Sequence, residues 1–247
     1  MNGDDVTFIW YGHSCIEAVS PAGLHVLIDP WFANPRSPRA ADEVERCDVL
    51  LVTHGHFDHF GDALSIARRT RPVWPCIHEM SLWVSPQLPE AGDALVGFNK
   101  GGTVDARGIK VTMVAADHSA GDVAPSGEPV AETPIYLGEP AGFVVELENG
   151  FRFYHAGDTS LFNDFDLIGQ LYRPELAFLP IGGHYTMGPA EAAVAAGRLG
   201  VARVVPIHYG TFPILAGTPD QLRQELASRG LTNVSVLAPA PGEALPL

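Results

Sequence analysis

Thr53-His54-Gly55-His56-Phe57-Asp58-His59 is the stretch that decides how this 247-residue chain is read. It follows Asp48-Val49-Leu50-Leu51-Val52, an apolar run typical of a strand covered on both faces. At the end of such a strand the backbone is still extended, so His54 and His56 project to the same side. Two neutral imidazoles at that spacing can meet one cation, and Gly55 between them permits close backbone approach. Asp58 and His59 follow after a bend and can face a second cation. Three histidines and one aspartate within residues 54–59 are a poor match for a polar loop that is His-rich by chance.

Four ligands from one loop do not complete two sites. Three other apolar runs end in a residue of the right kind. His118 follows a run at 109–115, Asp158 one at 151–154, and His208 one at 201–207. Taken singly, each would more often be structural. Taken with the first loop, they become candidate ligands.

Around these runs the pattern alternates between strands and helices. Strands are expected at 6–10, 14–18, 25–29, 48–53, 103–106, 109–115, 143–147, 151–155, 176–181, 201–207 and 233–237. Glu148-Asn149-Gly150 reads as the turn of a hairpin. Helices are expected at 62–69, capped by Asp62, and at 79–84, 163–171, 189–199 and 220–228. The helix at 189–199 has Pro at its first position and Gly200 just past its end. Residues 119–140 hold several Gly and Pro and read as a long loop beside the site. The tail at 238–246 is Pro-rich and expected to be extended. No repeat and no linker-like shift in composition divides the chain, so residues 1–247 are read as a single α/β domain.

Composition narrows the class. The apolar fraction is 46% with 18% charged residues, the balance of a globular protein. The net charge of −14 argues against a surface that wraps nucleic acid. No apolar run reaches the length of about 18 residues that a membrane helix needs. Met1-Asn2-Gly3-Asp4-Asp5 lacks the basic start and apolar stretch of a secretory signal, and the three cysteines form no Cys-x-x-Cys pair. A cytoplasmic protein without disulfides or a thiolate metal site is the expectation, and a homo-oligomer stays open.

The residues also carry a family resemblance. Thr-His-x-His-x-Asp-His resembles the metal-binding signature of the metallo-β-lactamase-fold superfamily. Gly12-His13-Ser14, Leu27-Ile28-Asp29-Pro30, His155-Ala156-Gly157-Asp158-Thr159, Gly183-His184-Tyr185-Thr186-Met187-Gly188-Pro189 and Pro206-Ile207-His208-Tyr209-Gly210-Thr211-Phe212-Pro213 fall in the matching order. Together they resemble the branch of metal-dependent hydrolases that includes the phosphorylated-ascorbate lactonase. The resemblance implies an αββα sandwich, two mixed sheets flanked by helices, with two divalent ions at one edge. It implies that His54, His56 and His118 hold one ion, that Asp58, His59 and His208 hold the other, and that Asp158 bridges them. The carboxylate at Asp158 departs from the cysteine of the zinc β-lactamases, which disfavours antibiotic hydrolysis. His56 departs from the Glu of the di-iron redox relatives, which disfavours oxygen or nitric oxide reduction.

The chemistry expected of such a pair is hydrolysis. Two ions about 3.5–4 Å apart can share a water and bring its pKa near neutrality, giving a bridging hydroxide as nucleophile. Zinc or manganese suits these ligands, iron less specifically, and the resemblance leans toward manganese. The expected substrate is a small ester, lactone or phosphoester, anionic by preference because the loaded site keeps about one positive charge. The alternatives are a phosphodiesterase acting on a small or cyclic nucleotide and a non-catalytic metal- or ligand-binding protein.

Asp58 is expected to be catalytic as well as a ligand. His184 is expected to contact substrate or to act as general acid, against the alternative of a loop histidine packed on a helix start. Asp29 either orients a ligand histidine or is a turn residue before Pro30. His13 either floors the site or is structural. His155 either supports the site from behind or packs within its strand. Tyr185, Phe212 and the loop at 119–140 are expected pocket walls, against the alternative of ordinary core.

Overall fold

A computed structural model describes residues 6–126 and 132–245. The N-terminal stretch read for a secretory signal, part of the expected loop at 119–140 and the end of the expected tail lie outside the described residues. The chain begins with β1 (Thr7–Trp10), β2 (Ile16–Val19), β3 (His25–Ile28) and β4 (Val49–Leu51), one sheet in that order. The first two pairings are antiparallel and β3–β4 is parallel. The chain then forms α1 (Phe57–Phe60), α2 (Ala63–Thr70), β5 (Trp74–Ile77), α3 (His78–Val84) and β6 (Leu95–Phe98). β5 and β6 pair in parallel. They continue the first sheet beyond β4, because Leu50 N–H donates to Val73 O and Val73 N–H to Asp48 O, both at 3.0 Å.

The second half supplies β7 (Thr103–Ala106), β8 (Ile109–Ala115), β9 (Gly121–Asp122), β10 (Ile135–Tyr136), β11 (Ala141–Glu146) and β12 (Arg152–His155). It ends with α4 (Phe165–Tyr172), β13 (Leu176–Pro180), α5 (Pro189–Leu199), β14 (Arg203–Ile207), α6 (Pro219–Ser228) and β15 (Ser235–Val236). Seven of these strands form one mixed sheet in the order β15-β14-β13-β12-β11-β8-β7. The hairpin expected across residues 148–150 is β11–β12, with Phe143 opposite His155.

The two sheets pack face to face. Phe8 on β1 meets the rings of Phe153 on β12 and Phe178 on β13, at 4.9 and 5.5 Å between centres. β13 is buried along its whole length, which its unbroken Leu-Ala-Phe-Leu-Pro sequence requires: the first sheet covers one face and α5 the other. α3 packs on β5 and β6, and α4, α5 and α6 pack in series. This is the αββα sandwich that the sequence resemblance implied, and its mixed sheets and outer helices follow from burying both faces of each sheet.

Three local expectations need correction. β5 and β6 were not among the expected strands; β5 carries Pro75 inside Trp74-Pro75-Cys76-Ile77, an unusual residue for a strand interior. The loop at 119–140 contains a small antiparallel pair, β9–β10. Asp62 precedes α2 but does not cap it; its carboxylate accepts from Phe32 N–H at 2.7 Å instead. The tail lies along β1, where Gly242 N–H donates to Trp10 O at 2.7 Å and Leu245 N–H to Phe8 O at 2.8 Å. Among the described residues no helix is long and apolar enough to cross a membrane.

Candidate metal centre

Strand direction gathers the site. β3, β4, β8, β12 and β14 all end at the same edge of the sandwich, and each delivers a polar residue there. Asp29 follows β3, His54 follows β4, His118 follows β8, Asp158 follows β12 and His208 follows β14. The β1–β2 turn adds His13. His13, Asp29 and His208 have φ of 50°, 49° and 51°, the left-handed region that non-glycine residues rarely occupy. Each such residue costs on the order of 1–3 kcal/mol, so packing and hydrogen bonds must hold it there. Part of that hold is visible: His13 O accepts from both His208 N–H and Trp10 Nε1–H at 2.9 Å.

Three groups of potential ligand atoms converge. His54, His56 and His118 form one, His13, Asp58, His59 and His208 a second, and His54, His59 and Asp158 a third. Asp158 reaches both sides. Its Oδ2 lies 3.6 Å from His118 Nε2 and 3.0 Å from His208 Nε2, and its Oδ1 lies 3.3 Å from His59 Nε2.

Asp29 sets the protons behind this cluster. Its Oδ1 accepts from Thr53 N–H at 2.7 Å, and its Oδ2 accepts from Thr53 Oγ1–H and His59 Nδ1–H, both at 2.8 Å. Thr53 has then given its only hydroxyl hydrogen to Asp29, so Oγ1 accepts from His54 Nδ1–H at 3.0 Å. His54 Nε2 is left bare and faces His56 Nδ1 at 2.9 Å. His59, its Nδ1–H committed to Asp29, turns Nε2 toward the Asp158 carboxylate, 3.3 Å from Oδ1. His59 Nε2 and Asp158 Oδ1 are both buried and neither has a hydrogen-bond partner. A ring nitrogen and a carboxylate oxygen that face each other in a buried site without a hydrogen bond mark a place that a shared proton or a cation fills.

Charge divides the cluster. Burial pushes His54 well below the usual imidazole range, with His59 adding to the effect, and burial also lowers His56 and His118. That side holds neutral imidazoles ready to ligate. On the other side burial alone would lower His208, but Asp158 raises it to about 9. Burial opposes the charge on His59 in the same way, yet Asp158 and Asp29 hold it well above its ordinary value. Burial would raise Asp58 and Asp158, but His59 acting on the first and His208 on the second hold both well below the carboxylate range. The carboxylates therefore demand positive charge, and divalent ions on these donors would supply it.

A cleft of about 600 Å³ opens over the cluster. His56, Asp58, His118, Asp158 and His208 form its floor. Ser119, Gly121 and Asp122 border it from the loop after β8. That loop sits tightly on the metal motif: a Cβ on Gly55 would meet Leu137 Cβ at 2.7 Å and Ala120 O at 3.0 Å. Asp122 Oδ2 also accepts from Phe57 N–H at 2.9 Å.

The family model for the beta-lactamase superfamily domain matches residues 25–209. The chain belongs to the beta-lactamase superfamily. Within the superfamily it stands with metal-dependent hydrolases. It is 45% identical over 246 residues to one from Rubrobacter xylanophilus, covering 99% of this chain and 97% of the relative. It is 44% identical over 226 residues to one from Koribacter versatilis, covering 91% and 93%. Among solved structures it matches Igni18, a metallo hydrolase from the hyperthermophilic archaeon Ignicoccus hospitalis, with a TM-score of 0.80, 35% identity and 97% of each chain covered.

In this superfamily member the residues expected from sequence fall into two sets. All seven expected ligands meet at one place. Asp29 stands behind them and bonds His59. His13 is fully buried at the floor, its Nε2 3.0 Å from Asp58 Oδ2 and its Nδ1 2.9 Å from Thr211 Oγ1. Burial, with His208 adding to it, pushes His13 down to about 4. His155 is buried outside the cleft and braces two backbones: its Nε2–H donates to Ser14 O at 3.1 Å, and its Nδ1 accepts from Gly157 N–H at 3.2 Å. Tyr185 lines the cleft. His184 does not. It is exposed, has a left-handed backbone (φ 61°) and packs edge-on against the Tyr185 ring, 4.4 Å between centres. Sequence reading gave no role to Thr53, Thr211, Trp31 or Asp122. Thr53 opens the motif and Trp31 follows Asp29-Pro30, so both stood within two residues of recognised positions.

Proposed function

We propose that the protein holds two divalent ions, zinc or manganese, and uses them to hydrolyse a small ester, lactone or phosphoester. His54, His56 and His118 would hold one ion, Asp58, His59 and His208 the other, and Asp158 would be shared. The observation that carries this reading is Asp158, whose two oxygens face His118 on one side and His59 and His208 on the other. When bound, such a pair of ions activates water near neutral pH and polarises the oxygen of the bond under attack.

The chain's own residues prepare the site. Asp29 and Thr53 keep the hydrogens of His54 and His59 on the nitrogens that face away from the cleft. His13 steadies Asp58 at 3.0 Å, and Ala120 and Leu137 pack closely over Gly55. Asp58 and Asp158 offset part of the ionic charge. His184 stands at the rim, and any part it plays passes through Tyr185, which does reach the cleft. The reading treats residues 1–247 as one domain, since the ligands come from both sheets.

Metal analysis combined with Asp158→Ala tests the proposal. The wild-type protein is expected to carry close to two metal equivalents and to cleave at least one of a panel of lactones, esters and phosphoesters. Asp158→Ala is expected to lower metal content and turnover together. Full activity in a metal-free preparation, or unchanged metal content in the variant, would overturn it.

A further inference from the structure

The walls of the cleft differ in chemistry from its floor. Eight large hydrophobic side chains are exposed among the described residues, and four of them, Phe57, Tyr185, Phe212 and Ile214, line this one cleft. Trp31 backs two of the four. Its ring lies 5.4 Å from Phe57, edge-on, and 6.0 Å from Phe212, stacked, and it also meets His13 at 5.1 Å. Phe57 and Phe212 thus form an aromatic ledge at the cleft, with the buried Trp31 ring behind both. It lies on the His13–Asp58 side of the floor. Solvent-exposed aromatic surface concentrated at one concave place marks a binding surface.

Apart from the histidines of its floor, the same cleft has no cationic side chain among the described residues. No Lys or Arg lines it, and none occurs among residues 127–131. Arg36 comes near in sequence to Trp31 but is held elsewhere. It stacks on Trp10 and Tyr209, at 4.7 and 4.9 Å from their ring centres, donates to Tyr209 O, and lines an adjoining hollow on the far side of Phe212 and Leu215 rather than the cleft itself. Asp122 adds a third carboxylate to those of Asp58 and Asp158. The positive charge that a loaded pair of ions would leave at the floor is thereby offset at the wall. Phosphate groups away from a reacting centre are bound by Arg, Lys or clustered backbone N–H groups, and nothing of the first two kinds faces this space.

We propose that the cleft selects an uncharged ester or lactone whose apolar, aromatic-sized group rests on the Phe57 and Phe212 rings against Ile214, and that it discriminates against substrates carrying a phosphate or other anionic group. The proposal rests on the hydrolase reading for the word ester, but the selectivity belongs to the walls. It counts against both the anionic substrate and the cyclic-nucleotide alternative expected from sequence.

The test reads binding rather than turnover. Zinc-loaded protein is titrated by ligand-detected NMR with 4-nitroacetanilide and with 4-acetamidobenzenesulfonate, which share an acetamide head and differ in charge at the far end. The neutral probe is expected to bind about tenfold more tightly, the effect of roughly 1.4 kcal/mol. Phe212→Ala is expected to weaken the neutral probe about tenfold, in line with the loss of one aromatic contact surface, and to leave zinc content unchanged. Ile214→Ala gives a second, milder removal of the same wall. Equal affinity for the two probes, tighter binding of the sulfonate, or no effect of either variant would overturn the proposal. Two bound metals with no turnover of any ester would sink the hydrolase reading alone, and the probe affinities would still decide this one.

Discussion

Asp29 Oδ2 accepts the Nδ1 hydrogen of His59 at 2.8 Å and so fixes which nitrogen of that histidine faces Asp158. Both partners are fully buried, and the bond spans thirty residues of sequence. Asp29→Ala is expected to weaken metal binding about 10–100-fold, the usual effect of removing a carboxylate behind a ligand histidine. Asp29→Asn keeps one acceptor oxygen and should lose less. Metal titration against a chelating competitor measures both, and wild-type affinity in the alanine variant would remove Asp29 from the site.

Metal uptake should depend on pH in a defined direction. In the metal-free protein His208 is raised to about 9 by Asp158, against an unperturbed value of 6.5. A metal must displace that proton, so apparent affinity is expected to rise as pH increases from 6.5 to about 9 and then to level off. The stability that His208 gives the metal-free protein runs the opposite way. It is fully present below 6.5 and is lost as pH rises through about 9, because the folded state binds the proton more tightly than the unfolded one. Melting temperatures of metal-free and metal-loaded protein across this range check both signs, and parallel profiles would contradict the assignment.

Gly55→Ala is expected to destabilise the protein by about 1–3 kcal/mol, the range for overpacking. The added methyl would meet Leu137 Cβ and Cδ1 at 2.7 and 2.8 Å and Ala120 O at 3.0 Å. The loop over the motif must lift, so hydrogen exchange should speed up around Ala120 and Leu137 while the strands stay protected. Uniform exchange throughout would place the strain elsewhere.

Phe8→Ala addresses the join between the sheets. Phe8 is fully buried and touches the rings of Phe151, Phe153 and Phe178. Loss of a buried Phe costs about 3–5 kcal/mol through transfer and cavity terms. Urea unfolding at fixed metal content is the measurement, and a cost below about 1 kcal/mol, small beside that range, would mean the site collapses without a cavity.

His184→Ala is expected to leave metal content unchanged and to lower kcat/KM by less than tenfold, since a positioned general acid contributes about 10²–10⁴-fold. Its ring contacts Tyr185 and stays outside the cleft. A hundredfold loss with metals bound would restore the general-acid role.

The motif around His54 made the floor of the site legible, because ligand spacing at a strand end is a local property. The partners behind the ligands were not legible to the same degree. Asp29 and His59 are distant in sequence, and only the parallel pairing of β3 with β4 brings their loops together. His13 and Asp58 are forty-five residues apart and meet through the turn between β1 and β2. A local signal also misdirected: Asp62 looked like a helix cap while its carboxylate was bonded to Phe32. His184 sits in a glycine-rich turn whose next residue, Tyr185, lines the cleft, yet its own ring stays outside.

The candidate ligands come from both sheets. His54, His56, Asp58 and His59 hang from the first sheet, and His118, Asp158 and His208 from the second, with His13 and Asp29 again on the first. Few backbone hydrogen bonds cross this edge; Ala141 N–H to Thr53 O at 3.0 Å and His208 N–H to His13 O at 2.9 Å are two that do. Ions shared by these donors would act as a clasp between the halves of the sandwich. Metal loading would then raise the unfolding free energy by mass action, and a chelator would loosen the whole layer-to-layer seam.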